Sequence, residues 1–459
     1  MNLSTRILSD IVCYNSYARH LHSKHRRETW EEIVNRNKAM HIKKYPKLIE
    51  DIETNYKYVM DKKVLPSMRV LQFAGKPIEL SPNRAFNCSY TAIDDWHVFQ
   101  EIFFLLLGGS GVGFSVQSRH IDKLPPVYKP KKSRRFLIGD SIEGWADALR
   151  ALIRSYMCGK SLPCFDFSDI RAKGTPLKTS GGTAPGPEPL SECLFKVKQI
   201  LDRKEDGEKL TSIECHDVVC HVAMAVYAGG IRRSSCISLF DREDYDMLTA
   251  KYNSWQALNG QRQMSNNSVM LPRESTSHED FLNLWEKIRL SGSGEPGFVW
   301  SNNLDIGRNP CGEVSLNSDG QFCNLSSVNT VDVRSQKEFN ERARVASFIG
   351  TLQASYTDFH FIREKWQKTT EEEALLGVSL AGVASGSVMS LNLREAAETV
   401  VAENERVAEL IGINKAARTT CEKPDGNTSC VLGCSSGVHA WHSPYYIRRV
   451  KIDKSKPIY

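Results

Sequence analysis

From about residue 64 onward, short apolar segments alternate with longer helical ones, and this alternation constrains the fold more than any other feature. Strand–helix–strand order buries parallel strands between helices, so it predicts a mainly parallel α/β sheet or barrel. The 459 residues suffice for one large α/β barrel with appendages, or for about three domains. Residues 1–63 read differently, as a charged helical segment with the basic run His20 to Arg27 on a solvated helical face.

Local signals place several elements. Asp140-Ser-Ile-Glu143 has capping-box spacing and opens an amphipathic run through Trp145, Ala148, Leu149 and Leu152. Thr211-Ser-Ile-Glu214 opens a second helix that runs to about Tyr227 and stops at Gly229-Gly230. Ser234 to Phe240 reads as a strand. Residues 173–190 are rich in Pro and Gly and read as a long loop of the functional or mobile kind.

Composition sets outer limits. Hydrophobic residues make up 41% and charged residues 25%, which excludes a disordered chain. A net charge of +6 suits anionic ligands but is too dilute for a nucleic-acid binder. The apolar run Ile102 to Leu107 is far too short to span a membrane, and the first ten residues lack a signal peptide's apolar segment. The expected compartment is the cytoplasm, with no membrane and no direct nucleic-acid partner. There the 13 cysteines are expected to be mostly thiols, and a disulfide among them catalytic rather than structural.

Most candidate motifs have bland readings. Gly109-Ser-Gly-Val-Gly113 follows a helix and lacks the third glycine of a dinucleotide fingerprint, but its glycines permit a close backbone approach to a ligand. His216 and Cys220 share a helix face, while Cys215 and His221 point elsewhere, so no metal site is expected there. Cys421, Cys430, Cys434, His439 and His442 also lack zinc-ligand spacing. The basic stretch Lys129 to Arg135 reads as an exposed loop.

The sharp signal is Asn309-Pro-Cys-Gly-Glu313, followed by Cys323. Pro310 and Gly312 bracket Cys311, which puts the thiol on a constrained loop. If the segment is extended, Asn309 and Glu313 share a face with the thiol, since each is two residues away. An amide, a thiol and a carboxylate on one face suit neighbouring sugar hydroxyls. Asn317-Ser-Asp-Gly320 is a turn signal that would bring Cys323 back toward the level of Cys311. Two thiols together in a reducing compartment suggest redox work, although these residues alone also fit a buried cysteine and an ordinary loop.

The motif has company. Asn87-Cys88, Gly229-Gly-Ile-Arg232, Asn266-Asn-Ser-Val269, Asn309-Pro-Cys-Gly-Glu313 with Cys323, and Lys423-Pro-Asp-Gly-Asn-Thr-Ser429 through Ser443-Pro-Tyr-Tyr-Ile-Arg-Arg449 occur in one order. Together they resemble the catalytic chain of a ribonucleotide reductase. The likeness is greatest to the adenosylcobalamin-dependent class, particularly its ribonucleoside-triphosphate reductases. Thr175-Pro-Leu-Lys-Thr-Ser-Gly-Gly-Thr183 and Gly186-Pro-Glu-Pro189 strengthen that choice. The resemblance runs from about residue 64 to 450.

That resemblance implies a ten-stranded α/β barrel over residues 64–459, with a finger loop at about 307–325. It implies adenosylcobalamin as cofactor, without indicating its contact residues, and a thiyl radical on Cys311 that abstracts the ribose 3′-hydrogen. Glu313 would take the 3′-hydroxyl proton, and Asn309 would position the sugar hydroxyls. Cys88 and Cys323 would reduce the substrate and end as a disulfide. Substrate phosphates are expected near Asn87, Gly111 and the stretch Asp425, Gly426, Asn427, Thr428, Ser429. Relatives usually carry a small hydroxyl residue where Asp425 stands, and an acid there repels phosphate unless it turns away or caps the next helix. Arg232 and Arg233 fall at the specificity loop, which answers to a deoxynucleotide effector. A thioredoxin-like reductant is implied as partner. Family chains continue past this one and end in a mobile cysteine pair, so the barrel is expected to be incomplete here and completed by further chain or a second subunit. The alternatives left open are a catalytic chain fed by a separate metal-radical subunit, and a non-catalytic nucleotide-binding fragment of a split reductase.

Overall fold

The computed structural model describes residues 3–176, 183–228, 235–386, 388–452, 454, 458 and 459. The chain divides into two units: Met1–Asn87 with Phe322–His360 and Gln367–Tyr459, and Cys88–Gln321 with Phe361–Trp366.

The second unit is built on a sheet whose strands run in the order Gly297–Trp300, Ser265–Leu271, Cys236–Asp241, Gly111–Ser115, Cys88–Ala92, with the two-residue strand Gln321–Phe322 carrying the chain out of the unit. The first five are parallel: Cys88 pairs with Gly111, Val112 with Cys236, Cys236 with Ser265, and Ser268 with Gly297. Cys88–Ala92 and Gly111–Ser115 are buried at every residue, as parallel strands covered on both faces must be. Helix Val98–Leu107 is apolar nearly all round and wholly buried. Its one acid, Glu101, accepts from the backbone N–H, Nε and Nη2 of Arg363 and from Nε1 of Trp366. A buried carboxylate needs such donors, and these four hold residues 361–366 in the unit.

The sequence signals fare unevenly here. Helix Ser212–Ala228 has the expected box: Thr211 Oγ1 accepts from Glu214 N–H, and Glu214 accepts from Thr211 N–H. Its expected stop at Gly229-Gly230 lies outside the described residues. The other helix runs Ile142–Met157, but Ser141 rather than Asp140 is its cap, accepting from Gly144 N–H, while Asp140 pairs with Arg171. The expected strand is Cys236–Asp241. The loop after residue 173 is closed by the bridge between Pro176 and Thr183, and its last residues already belong to helix Glu188–Asp202. Lys129 to Arg135 is exposed as expected, but Ser133–Leu137 is a strand, paired with Leu162–Asp166.

The first unit holds a three-stranded sheet. Leu325–Asn329 lies between Gly377–Ala381, parallel to it, and Val64–Leu65, antiparallel. Helices Trp30–Lys44, Ile49–Met60, Gln336–Ala354 and Leu393–Ile411 contribute Val34, Tyr56, Phe348 and Val400 to one core with Val328. Residues 1–63 are mainly helical, but His20 to Arg27 is not a helical face. His20–Leu21 pairs with Arg26–Arg27, and Arg26 bonds Glu32, which also completes the capping box of Thr29.

The architecture is α/β with N-terminal helices. Among the described residues the strands form open sheets, and none is closed. No helix among them is long and apolar enough to cross a membrane.

Candidate active site

Ile306–Arg308 and Ser315–Asn317 pair as an antiparallel hairpin, with Arg308 opposite Ser315. The residues between them carry the signal motif. Gly312 N–H donates to Asn309 O at 2.8 Å, so residues 309–312 form a β-turn. Pro310 occupies the position where its fixed φ is favoured, and Gly312 follows at φ +83°, which an L side chain tolerates poorly. The sequence therefore folds here into a tight turn, not the extended segment considered above, and the two-residue alternation of side chains does not apply. Cys311 stands on the turn and is exposed.

Asn309 is fully buried beneath it. Its backbone N–H bonds Val314 O at 3.2 Å, and its Oδ1 accepts from Val314 N–H at 2.9 Å. Its Nδ2 is buried without a hydrogen-bond partner. Such a donor costs free energy unless a ligand or water meets it. Glu313 is half-buried, next to Val314.

The hairpin lies on the sheet of its own unit. Cys88 and Gly111 are in register, as are Tyr90 and Gly113, so each pair projects to one face. A Cβ placed on Gly111 would stand 3.2 Å from Pro310 Cγ, so the turn rests on the face toward which Cys88 points. Cys88 opens its strand and is buried. The structure thus brings Cys88 and the Cys311 turn to the same face and the same end of one sheet. Cys323 belongs to the first unit, where it is buried two residues beyond Gln321.

The other expected residues divide. Asn87 closes a segment of the first unit and accepts from Ser67 Oγ at 3.1 Å. Asp425 precedes the short helix Gly426–Leu432 with a left-handed backbone, φ +47°. It does not cap that helix. Its side chain is buried, with Oδ1 2.9 Å from Lys423 Nζ and accepting from Ser327 Oγ. Lys423 Nζ also donates to Ser327 and to Thr428 Oγ1. The acid is turned inward and its charge is compensated. Thr428 and Ser429 spend their hydroxyls on Lys423, Gly426 O and Ser436, while Gly426 and Asn427 stay exposed. Arg232 and Arg233 lie outside the described residues.

No group of three or more metal-ligating side chains occurs among the described residues. His216 does face Cys220, 3.6 Å from Nε2 to sulfur, but Nε2 bonds Asn267 inside the core. Burial pushes the Cys220 thiol well above its ordinary pKa. Sequence reasoning missed Tyr90 and Gly307, and it quoted Lys423 within a motif without giving it a role. No local pattern marked either of the first two, since their partners meet them only in the fold.

The chain is similar to known proteins. A family model described as the insertion domain of B12-dependent ribonucleotide reductase matches residues 115–201, which contain helix Ile142–Met157 and the paired strands beside it. The chain is 26% identical to the adenosylcobalamin-dependent ribonucleoside-triphosphate reductase of Lactobacillus leichmannii, over 96% of this chain and 74% of that one. Against the enzyme of that name from Euglena gracilis it is also 26% identical, over 89% and 59%. A crystal structure of a B12-dependent (class II) ribonucleotide reductase superposes with a TM-score of 0.82 at 23% identity, covering 94% of this chain and 75% of that one. The match to an insertion-domain model, the likeness along most of the chain and the shared fold make this chain similar to the adenosylcobalamin-dependent, class II ribonucleotide reductases.

Proposed function

We propose that this chain reduces ribonucleotides, with triphosphates as the expected substrates, to 2′-deoxyribonucleotides through a thiyl radical on Cys311. The observation that carries the reading is the placing of Cys88 and the Cys311 turn on one face and one end of a sheet, over a buried Asn309 amide that lacks a partner. A radical cysteine must be reachable by a bulky cofactor, and the exposed position of Cys311 on its turn fits that requirement. Adenosylcobalamin, when bound, supplies the one-electron oxidising equivalent; the protein's share is position and exclusion of water.

The chain's own residues then divide the work. The Cys311 sulfur takes the 3′-hydrogen of the ribose and later returns it. Glu313 holds the proton of the 3′-hydroxyl, and the Asn309 Nδ2 donor orients the sugar hydroxyls. With radical character on the neighbouring carbon, the 2′-hydroxyl leaves as water after taking a proton from the dithiol. Cys88 and Cys323 give two electrons and two protons in all and become a disulfide, which a thioredoxin-like reductant resets. Exposed Gly426 and Asn427, at the start of their helix, are the part of the 425–429 stretch best able to meet phosphate, with Asn87 and Gly111 beside Cys88. We assign specificity to a deoxynucleotide effector acting near Arg232 and Arg233. The two sheets are read as parts of the family's ten-stranded barrel, with the hairpin as its finger loop.

The test is reduction of a ribonucleoside triphosphate with adenosylcobalamin and a dithiol, with and without any companion chain. Deoxynucleotide formation that disappears in Cys311→Ser, with nucleotide binding retained, supports the reading. Absence of product under all these conditions overturns it.

A further inference from the structure

Gly109-Ser-Gly-Val-Gly113 is not a dinucleotide loop, and the chemistry above leaves its glycines largely unexplained. Gly111 and Gly113 project to one face of their strand because they are two residues apart. That face is where the hairpin comes down. At Gly111 a methyl group would meet Pro310 at 3.2 Å. At Gly113 it would overlap the carbonyl oxygen of Arg308 and lie 2.8 Å from Tyr90 Cδ2. From the other side, a methyl group on Gly307 would overlap the Tyr90 ring. Three glycines on two elements therefore remove Cβ atoms along one line, from the hairpin's stem to its turn. Tyr90, wholly buried, fills the space between them.

We propose that Gly111, Gly113, Gly307 and Tyr90 form a seat that sets the height of Cys311 over the sheet, and that they are positioning residues for the reaction. This rests on the reductase reading. A sulfur that abstracts hydrogen must approach the ribose to near-attack distance, and a misplacement of about 1 Å costs on the order of 100-fold. At Gly113 the strand meets the Arg308 backbone carbonyl, which has no rotamer through which to relax, and at Gly111 and Gly307 the contacts are the stiff Pro310 and Tyr90 rings, so the seat fixes that height more tightly than flexible side chains would. In the turn itself Asn309 and Pro310 are buried against the sheet side while Cys311 and Gly312 are exposed. The height of the thiol therefore follows from what the stem and the buried half of the turn rest on.

The principal test is Gly113→Ala, whose methyl meets backbone rather than a flexible side chain. The expected result is a fall in kcat of about 100-fold with KM changed by less than about threefold. Alkylation of Cys311 by iodoacetamide, read by mass spectrometry, should quicken by about threefold or more as the turn lifts. Gly307→Ala should also lower kcat, and adding Tyr90→Leu, which clears the ring, should recover about tenfold of the loss. Tyr90→Phe keeps the ring and should stay within about threefold of wild type. Gly111→Ala is expected to be mildest, and it keeps the proposal testable if Gly113→Ala does not fold. The proposal is overturned if folded Gly113→Ala, or Gly307→Ala and Gly111→Ala in its place, keep wild-type kcat and wild-type alkylation. It is also overturned if Tyr90→Leu brings no recovery to Gly307→Ala. Should the wild-type enzyme reduce no ribonucleotide, the reductase reading fails by itself, and the alkylation rates still decide whether the seat exists.

Discussion

In the second unit the Cys311 hairpin and the strand beneath it lack side chains where they meet, at Gly307 on the one and at Gly111 and Gly113 on the other. In the first unit the loop Lys423–Ser429 is held to its sheet by polar groups. Lys423 N–H donates to Ser379, and the buried Lys423–Asp425 pair is tied to Ser327. Both arrangements bring a loop to which chemistry is assigned in the proposal against buried strands. One does so by steric absence and has nothing to ionise. The other does so by charge, and its strength depends on both partners being present. The two loops should therefore fail under different perturbations.

The largest effect is expected on the hairpin. Cys311→Ser should lower turnover by more than about 1,000-fold while nucleotide affinity stays within about threefold. A parallel loss of affinity would mean that the turn binds rather than reacts. The charged loop comes next. Lys423→Met leaves Asp425 buried beside hydroxyls only, and should cost about 3–5 kcal/mol in urea unfolding. Adding Asp425→Leu should recover most of that, because no uncompensated charge remains. A cost below about 1 kcal/mol for Lys423→Met would break the contrast between the loops.

Acid sharpens the comparison further, since each unit holds a buried histidine kept neutral. Burial first, then Lys44, lowers the His41 pKa to about 3. In the second unit burial, then Arg119, lowers that of His120 to about 4. An unfolded histidine takes its proton near 6.5, so the unfolded state binds more protons below that pH. Stability is thus complete above about pH 6.5 and falls as the pH drops toward 4 for His120 and toward 3 for His41. At full titration this amounts to about 3 kcal/mol for His120 and about 5 kcal/mol for His41. His120→Gln and His41→Phe should flatten the slope of unfolding free energy between pH 6.5 and 4; an unchanged slope in both would refute the assignment. The smallest effect belongs to Ser141→Ala, which removes a helix cap and should cost about 1 kcal/mol. Asp140→Ala should leave that cap intact.

Local patterns were readable where the competing partners were also local. Thr211 and Glu214 bond each other three residues apart, so their box is visible in sequence. Asp140 failed as a cap because Arg171, thirty-one residues away, takes its carboxylate and Ser141 stands free to do the work. The run from His20 looked helical by charge, but its ends pair with each other and Arg26 is held by Glu32. At the site, Pro310 and Gly312 announced a constrained cysteine, and their turn follows from it. The glycines of residues 111 and 113 were visible, but the hairpin that comes down on them, almost two hundred residues later in the chain, was not. No short-range pattern encodes that. The inward turn of Asp425 was equally hidden, since it depends on Ser327 and Lys423 meeting in the fold.

The six residues Phe361–Trp366 leave the first unit at His360, are gripped by Glu101 in the second, and return at Gln367. The polypeptide therefore passes between the units at four places along its length. A protease that nicks any one of those passages leaves the halves covalently joined through the others. Neither half corresponds to a continuous stretch of gene, so an attempt to express them separately requires circular rewiring rather than a single cut.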